Sequence, residues 1–558
     1  MKRGKKIIQD PVHGCITLRG EFVKALNSVQ FQRLKQINQS SFRVLYPGAT
    51  HDRFLHSIGT YYLGEKAVNH FFENIKSDIS DYSDKIETET EKKLENTFLY
   101  ASLLHDVGHA PFSHTCEGFF KVSENECNQP KIYADLIKAV KELADEFLIS
   151  RRVAEEFEED FLACIQKKDQ VNKTIPSPHE VLSATMLIKE RKQFWDDDEN
   201  EINYELACRA VIGVEYRTFN GENKDVDYER RIRNCLIRLL NSPCLDVDKL
   251  DYICRDTKMT GFSNVQLDIE RITTAITAVC DNDVCELAFR KNMLSVIENV
   301  FRAKIEQGLW LISHPVVVYE NDLIERCVKY IEKIETSEMQ RYVERIFSYE
   351  ALTEQGVIYR ERNYRLLSDV DLVSDFKHFW NTERDCVFNE YFNRGMRRKP
   401  LWKSYKEYLY FFNNGNSEDV KKYPRKVYEY FDKLVTYLSE NKDVLNNETY
   451  MKLQQKAKDE PEKYSDILEV AELLRQLCSE SKVAFDLVLI KVKNDFANKI
   501  STDNVQIKFV GEGKDALIPY KLLQENSESK SIPFFYIYSK QSFDRDLFKK
   551  MVLDKVRE

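Results

Sequence analysis

The chain has 558 residues, 42% of them hydrophobic and 31% charged, with a net charge of −9 at pH 7. That length exceeds what one hydrophobic core serves, so two or more lobes are expected. The acidic balance argues against a nonspecific nucleic-acid coat. No stretch approaches the ~20 apolar residues of a membrane span, and no apolar signal core follows the basic start, so a cytoplasmic protein is expected. Its 13 cysteines form no CxxC pair and read as reduced, mostly buried thiols.

Residues 6–20 read as a hairpin turning at Pro11 to Gly14, and Glu21 to Asn38 as helices with Phe22, Leu26, Phe31 and Leu34 inward. Thr50 to Gly59 opens a helix running to about Phe72, Lys76 to Lys93 reads as a charge-dense loop, and Leu136 to Lys168 as amphipathic helix. Ser177-Pro178-His179-Glu180 starts another helix, and Val296 to His314 and most of 321–440 continue the helical pattern. Beyond Ala484, the runs 485–492, 505–510 and 534–538 have strand character; the turn at Gly511 with Lys514 lacks the phosphate-loop pattern. The expected fold is mainly α with a small C-terminal α+β lobe, divided as 1–320, 321–480 and 481–558.

Leu99 to His114 is the most chemically loaded stretch: an apolar helical run ending in His105, Asp106, His109 and His114. Gly108 is read as the helix stop and Pro111 as the start of the next turn. The plain alternative is a core helix ending in a polar turn. Upstream, His51-Asp52 is the obvious metal pair, but His56 falls inside its helix beside Ile58 and Gly59, where a buried cation would sit. Arg53 lies one turn earlier and could hold a phosphate there, or make a surface salt bridge. His179 could be a ligand or only part of a helix start. Asp248, Tyr252 and Asp256 recur every fourth residue, so they share one helix face, with Asp246 placed to cap. Such a stripe is commonly solvated, yet Val247, Leu250 and Ile253 would bury this helix and make the stripe a pocket wall.

His56, His105-Asp106 and Asp248, with the words Asp10-Pro11-Val12-His13-Gly14, Gln30 to Leu34, Pro47 to His51, His105 to His114 and Asp246 to Tyr252, resemble the HD-domain deoxynucleoside triphosphate (dNTP) triphosphohydrolases. That family comprises the bacterial dGTPase-like enzymes and the catalytic core of the mammalian SAM-and-HD-domain type. The resemblance covers residues 6 to about 318, with a looser likeness at 534–548 to the family's regulatory lobe. It implies a helical HD-domain core in which His56, His105, Asp106 and Asp248 hold a divalent transition metal (Fe, Mn or similar). Water would attack the α-phosphorus of a dNTP carrying Mg on its triphosphate, releasing deoxynucleoside and inorganic triphosphate. His114 backed by Glu117 would be the general acid, and His109 and His179 would steady the triphosphate. Arg53, Lys249 and Lys304 match phosphate contacts; Tyr252, Asp256 and Gln39 match sugar contacts.

Lys6, Asn27, Gln32, Arg33 and Lys35 fall where the mammalian type binds an activator nucleotide, which would couple to a dimer or tetramer. Neither a membrane nor a nucleic-acid substrate is expected. The chain departs from the family at Ser40 (usually Leu), Ile312 (a Tyr that blocks a 2′-hydroxyl), Asn27 (an Asp that reads guanine) and Lys35 (usually Arg). Hydrolysis of another nucleotide, an NTP or a signalling nucleotide, and a catalytically dead nucleotide sensor are the alternatives.

Overall fold

The computed structural model of the chain describes residues 4–79, 82–122, 129–166, 175–196, 201–217, 224–243, 245–262, 267–281, 284–334, 341–382, 386–413, 420–492, 506–509, 516–519 and 532–557. Apolar residues spaced three and four apart make most of this helical, and the fold is mainly α. No helix among these residues is long and apolar enough to cross a membrane.

Strands β1 (Lys6–Asp10) and β2 (Gly14–Leu18) form the antiparallel hairpin, with Lys6 opposite Leu18. Helix α1 (Arg53–Asp78) starts at Asp52, whose carboxylate accepts the Leu55 amide at 2.9 Å. It packs on α2 (Thr88–Leu104) and on α4 (Val247–Thr260). Between them in sequence comes α3 (Pro178–Lys189), opened by a capping box of Ser177 and Glu180 with Pro178 in its first turn. Asp246 caps α4 by accepting the Lys249 amide at 2.7 Å. Then follow α5 (Leu294–Gln307), a π-type turn (Gly308–Ile312), α6 (Pro315–Ile334) and α7 (Asp369–Phe379). One continuous apolar core reaches from Ile16 to Val556.

Two four-stranded sheets tie distant parts together. Strand 276–281 pairs with 284–290, which pairs in parallel with 506–509, which pairs with 516–519. The other sheet runs 399–400, 534–539, 486–492, 445–446, so segments on both sides of residue 480 share it. Tyr536 and Tyr538 donate to the Ser313 and Pro315 carbonyls at 2.9 and 2.8 Å, fastening this sheet to the entrance of α6.

Several local expectations change. The segment read as a loop over 76–93 includes the end of α1, a turn of helix at Tyr82–Lys85 and the start of α2. The long helix read over 136–168 is two, Lys131–Asp145 and Arg151–Ile165. The strands at 276–290 carry no strong alternation and were not expected. Helix α2 ends at Leu104, before Gly108. Gly108 is there for close approach: a Cβ would lie 2.3 Å from the Ser183 amide nitrogen of α3, and its own amide donates to Ser183 Oγ at 2.9 Å. Pro111 starts no helix; a short 3-10 turn follows at Ser113–Thr115. Cys285 is disulfide-bonded, against the expectation of reduced thiols, while buried Cys116 and Cys208 keep free thiols as expected. The Gly511 turn and Lys514 lie outside the described residues.

Candidate active site

Helix α1, the turn after α2 and the first turn of α4 bring four predicted ligands together. His56 is fully buried. Its Nδ1 donates to Asp251 Oδ2 at 2.7 Å, which leaves Nε2 facing Asp248 Oδ1 at 2.9 Å, His105 Nε2 at 3.3 Å and Asp106 Oδ2 at 3.6 Å. His105 likewise gives its Nδ1 proton to the Ser102 carbonyl at 2.9 Å, so its Nε2 points inward, 3.5 Å from Asp106 Oδ1 and 3.6 Å from Asp248 Oδ1. Two imidazole nitrogens whose opposite nitrogens carry the proton, facing two carboxylates, suit a divalent transition metal. His56, His105 and Asp248 alone could hold an ion.

The brace behind these groups is a buried ionic network. Asp251 accepts from His56, from His13 Nε2 at 2.7 Å and from Arg255 at 2.8 and 3.0 Å; Arg255 also donates to Asp10 at 2.8 Å. Asp248 and Asp251 lie one turn apart on α4, so one faces the pocket and the other the back of His56. Only glycine admits this: a Cβ on Gly59 would sit 1.9 Å from Asp251 Oδ1. Asp10, His13, Asp251 and Arg255 all stand in the motif words or beside them, yet the sequence reading gave them no role. The three-residue spacing of Asp248 and Asp251 and the glycine opposite were the available signals.

Electrostatics favour a cation at this point. Burial opposes charge on His56, but Asp248 and Asp251 outweigh it and push its pKa up to about 9. Burial would raise the Asp106 carboxyl, yet Arg53, His105 and His56 hold it well below the usual range. Asp248 is likewise held low, against burial, by hydrogen bonds to His105 and His56. Three ionised carboxylates around two imidazoles fit a divalent ion well.

Asp106 also touches a second cluster. His109 Nε2 lies 3.7 Å from Asp106 Oδ1 and its ring stacks on His179 at 4.1 Å. Glu117 accepts from His179 Nδ1 at 2.7 Å and faces His114 Nδ1 at 3.4 Å. Burial and the cations around it hold His109 well below its ordinary pKa. His179 is pushed up to about 8, its burial outweighed by Glu117. A neutral ring therefore stacks on a charged one. His114 remains 62% exposed, and both ring nitrogens of buried His109 lack a hydrogen-bond partner, as does Gln39 Oε1.

The other expected contacts surround this pair of clusters. Arg53 is buried and donates to Asp106 at 2.8 Å, Ser113 Oγ at 2.9 Å and the Gln39 carbonyl at 3.2 Å. Lys249 turns back to Asp246 at 2.6 Å. Tyr252 is half-buried on the same face; Asp256 accepts from His51 Nε2 at 2.7 Å and from Gln307. Lys304 is half-buried on α5, and Ile312 is 40% exposed in the π-type turn. His51 and Asp52, set aside as ligands, serve instead as the Asp256 partner and the α1 cap.

The residues expected at an activator nucleotide differ in depth, with Lys6, Asn27 and Lys35 exposed, Gln32 half-buried and Arg33 buried. Lys6 donates to Asn27 at 3.0 Å and Lys35 to Gln32 at 2.7 Å, both at the surface. Arg33 is a correction: it is 4% exposed and its guanidinium donates inward to the carbonyls of Leu367, Val107 and His109.

No family model matches the chain. It is 28% identical over 290 residues to the deoxynucleoside triphosphate triphosphohydrolase SAMHD1 of Xenopus laevis, covering 52% of this chain and 38% of that protein. It is 36% identical to the Homo sapiens protein of the same name over 116 residues, 21% of this chain and 17% of that one. Against the uncharacterized protein YwfO of Bacillus subtilis it is 23% identical over 314 residues, 56% and 52% of the two chains. The matched part thus spans about half or less of each relative.

Proposed function

We propose that the chain is an HD-domain dNTP triphosphohydrolase, as its similarity to the proteins of that name supports, and that it hydrolyses deoxynucleoside triphosphates to deoxynucleoside and inorganic triphosphate. One observation carries the reading: the cluster of His56, His105, Asp106 and Asp248 shares Asp106 with the cluster of His109, His114, His179 and Glu117. A binder without chemistry needs neither the second cluster nor the bracing of the first.

His56, His105, Asp106 and Asp248 would hold a divalent transition metal of the Fe or Mn type, which supplies Lewis acidity and activates water when bound. Asp251 keeps the His56 proton on Nδ1, so Nε2 stays available. Arg53 has spent three of its five N–H groups on Asp106, Ser113 and Gln39. The remaining two are left for a phosphate oxygen. Charged His179 and neutral His109, with Lys249 and Lys304, would line the triphosphate, itself carrying Mg. As water bonds to the α-phosphorus, the bond to the 5′ oxygen breaks, and His114, oriented by Glu117, gives that oxygen its proton. Gln39, Tyr252 and Asp256 would meet the sugar.

Lys6, Asn27, Gln32 and Lys35 remain candidates for an activator nucleotide at an interface between copies, as a dimer or tetramer. Incubating the purified chain with each dNTP and NTP plus Mn²⁺ or Mg²⁺, with chromatographic product analysis, tests the reading. Deoxynucleoside plus triphosphate is the expected product pair. Turnover of NTPs alone would shift the assignment to another nucleotide, a reading favoured only by Ser40 and exposed Ile312 in the sugar pocket. No turnover would leave a sensor.

A further inference from the structure

The bend that carries His109 and His114 is held from behind by a residue of the helical extension. Asp369, the first residue of α7, accepts the Phe112 amide on Oδ1 at 2.6 Å. Its Oδ2 accepts the Asn38 backbone amide at 3.0 Å and the Asn38 side-chain amide at 2.6 Å. Ser113 Oγ then donates to the Asn38 carbonyl at 2.7 Å and accepts from Arg53 Nε at 2.9 Å. Arg33 closes the frame, joining the Leu367 carbonyl to those of Val107 and His109. Phe112 and Ser113 both have positive φ, 54° and 53°. Such a pair persists only where its surroundings hold it, and held strain clusters at working sites.

We propose that Asp369 is a positioning residue for the reaction assigned above: one carboxylate, by binding the Phe112 and Asn38 amides together, sets the His109–His114 bend at a fixed place relative to Gln39. This rests on the preceding functional reading, which puts the proton donor on that bend and the sugar beside Gln39. All three donors to Asp369 are N–H groups, so both its oxygens must accept and neither can carry a proton without losing a bond. The side chain is 4% exposed, and burial raises its pKa to about 6. Its charged form is thus carried against desolvation, as expected of a group kept for its geometry. The groups that face it are Arg33, Tyr391 and Cys116, with Asp371 acting on Arg33, Glu320 and Lys377 lining the adjoining cavity, and His109 and His114 along the bend.

The test compares the full-length chain with Asp369→Asn, an amide of the same size that sets an NH2 group against an N–H donor whichever way it is turned. Metal content should be unchanged, because none of the four ligands bonds to Asp369. Amide exchange should quicken at residues 38 and 112 while the rest of the chain keeps its protection. With the dNTP that the parent turns over best, kcat should fall about tenfold or more with KM little changed, the signature of a displaced reacting group. A smaller folded fraction would also lower apparent kcat, so kcat is referred to the folded, metal-loaded enzyme, and faster exchange confined to residues 38 and 112 separates a displaced bend from a general loss of stability.

Parental kcat in Asp369→Asn would overturn the proposal. So would fast exchange of the Phe112 and Asn38 amides in the parent chain at pH 7, a measurement that needs no variant to fold. Should the parent hydrolyse no nucleotide, the functional reading fails, while metal content and amide exchange still decide whether Asp369 holds the bend.

Discussion

The two histidine clusters that meet at Asp106 contain similar groups and are built for different ends. Around His56 and His105, the imidazole protons are committed outward, to Asp251 and to the Ser102 carbonyl, and two carboxylates face inward. Around His109, His114 and His179 the one carboxylate besides the shared Asp106 is Glu117, with one neutral ring, one charged ring and one largely exposed ring. An excess of carboxylates over protons makes a place for a cation. A carboxylate shared among imidazoles makes a place where a proton is held and passed. Residue type alone does not separate the two, since each cluster offers three groups within reach of one ion. What separates them is where the second nitrogen of each ring is tied.

The largest expected effect breaks the first cluster. Asp248→Ala should empty it, with metal content by mass spectrometry and turnover both lost while the helical circular-dichroism signal stays. Retained metal would reverse the assignment of the two clusters. Next, His114→Ala should keep the metal and lower kcat by ~10²–10⁴-fold, the contribution of a positioned acid; loss of metal would show that the second cluster also ligates.

A smaller effect tests the brace. Asp251→Asn, and Gly59→Ala whose Cβ would collide with Asp251, should each weaken metal affinity by about 10–100-fold, measured by competition with a chelator. The smallest effect concerns pH. The pKa of His179 rises on folding from 6.5 to about 8 through Glu117. Its stabilising bond is therefore complete below about 6.5 and lost as pH climbs through 8, a change equivalent to about 2 kcal/mol. Urea denaturation at pH 6 and 9 should show this loss, and Glu117→Gln should abolish the difference.

Much of this was legible in the chain. Periodic apolar residues marked most helices, and Asp246 and Ser177 marked where two of them begin. The four metal candidates were named through the resemblance to the HD-domain signature, since a histidine or aspartate on a helix face also has plain structural uses. The hairpin and the three C-terminal strand runs were also visible as alternating or apolar stretches. The helices at 82–104 were obscured by dense charge, which a helix tolerates on a solvated face. Arg33 was placed at the activator site by resemblance alone, and only its depth reveals that its terminal nitrogens donate inward to backbone carbonyls.

The sequence by itself determined the local elements and the identity of the reactive groups, since both depend on residues a few positions apart. Tertiary structure alone decided which partner each group has. Asp251 stands behind His56 because Gly59 lets α4 come close to α1, and Gly108 lets the turn that leads to His109 and His114 lie against α3. Asp369 reaches Phe112 across 257 positions, a pairing no local pattern encodes. Hydrogen-bond direction and burial set the charge of each imidazole, and both exist only once the distant segments have packed.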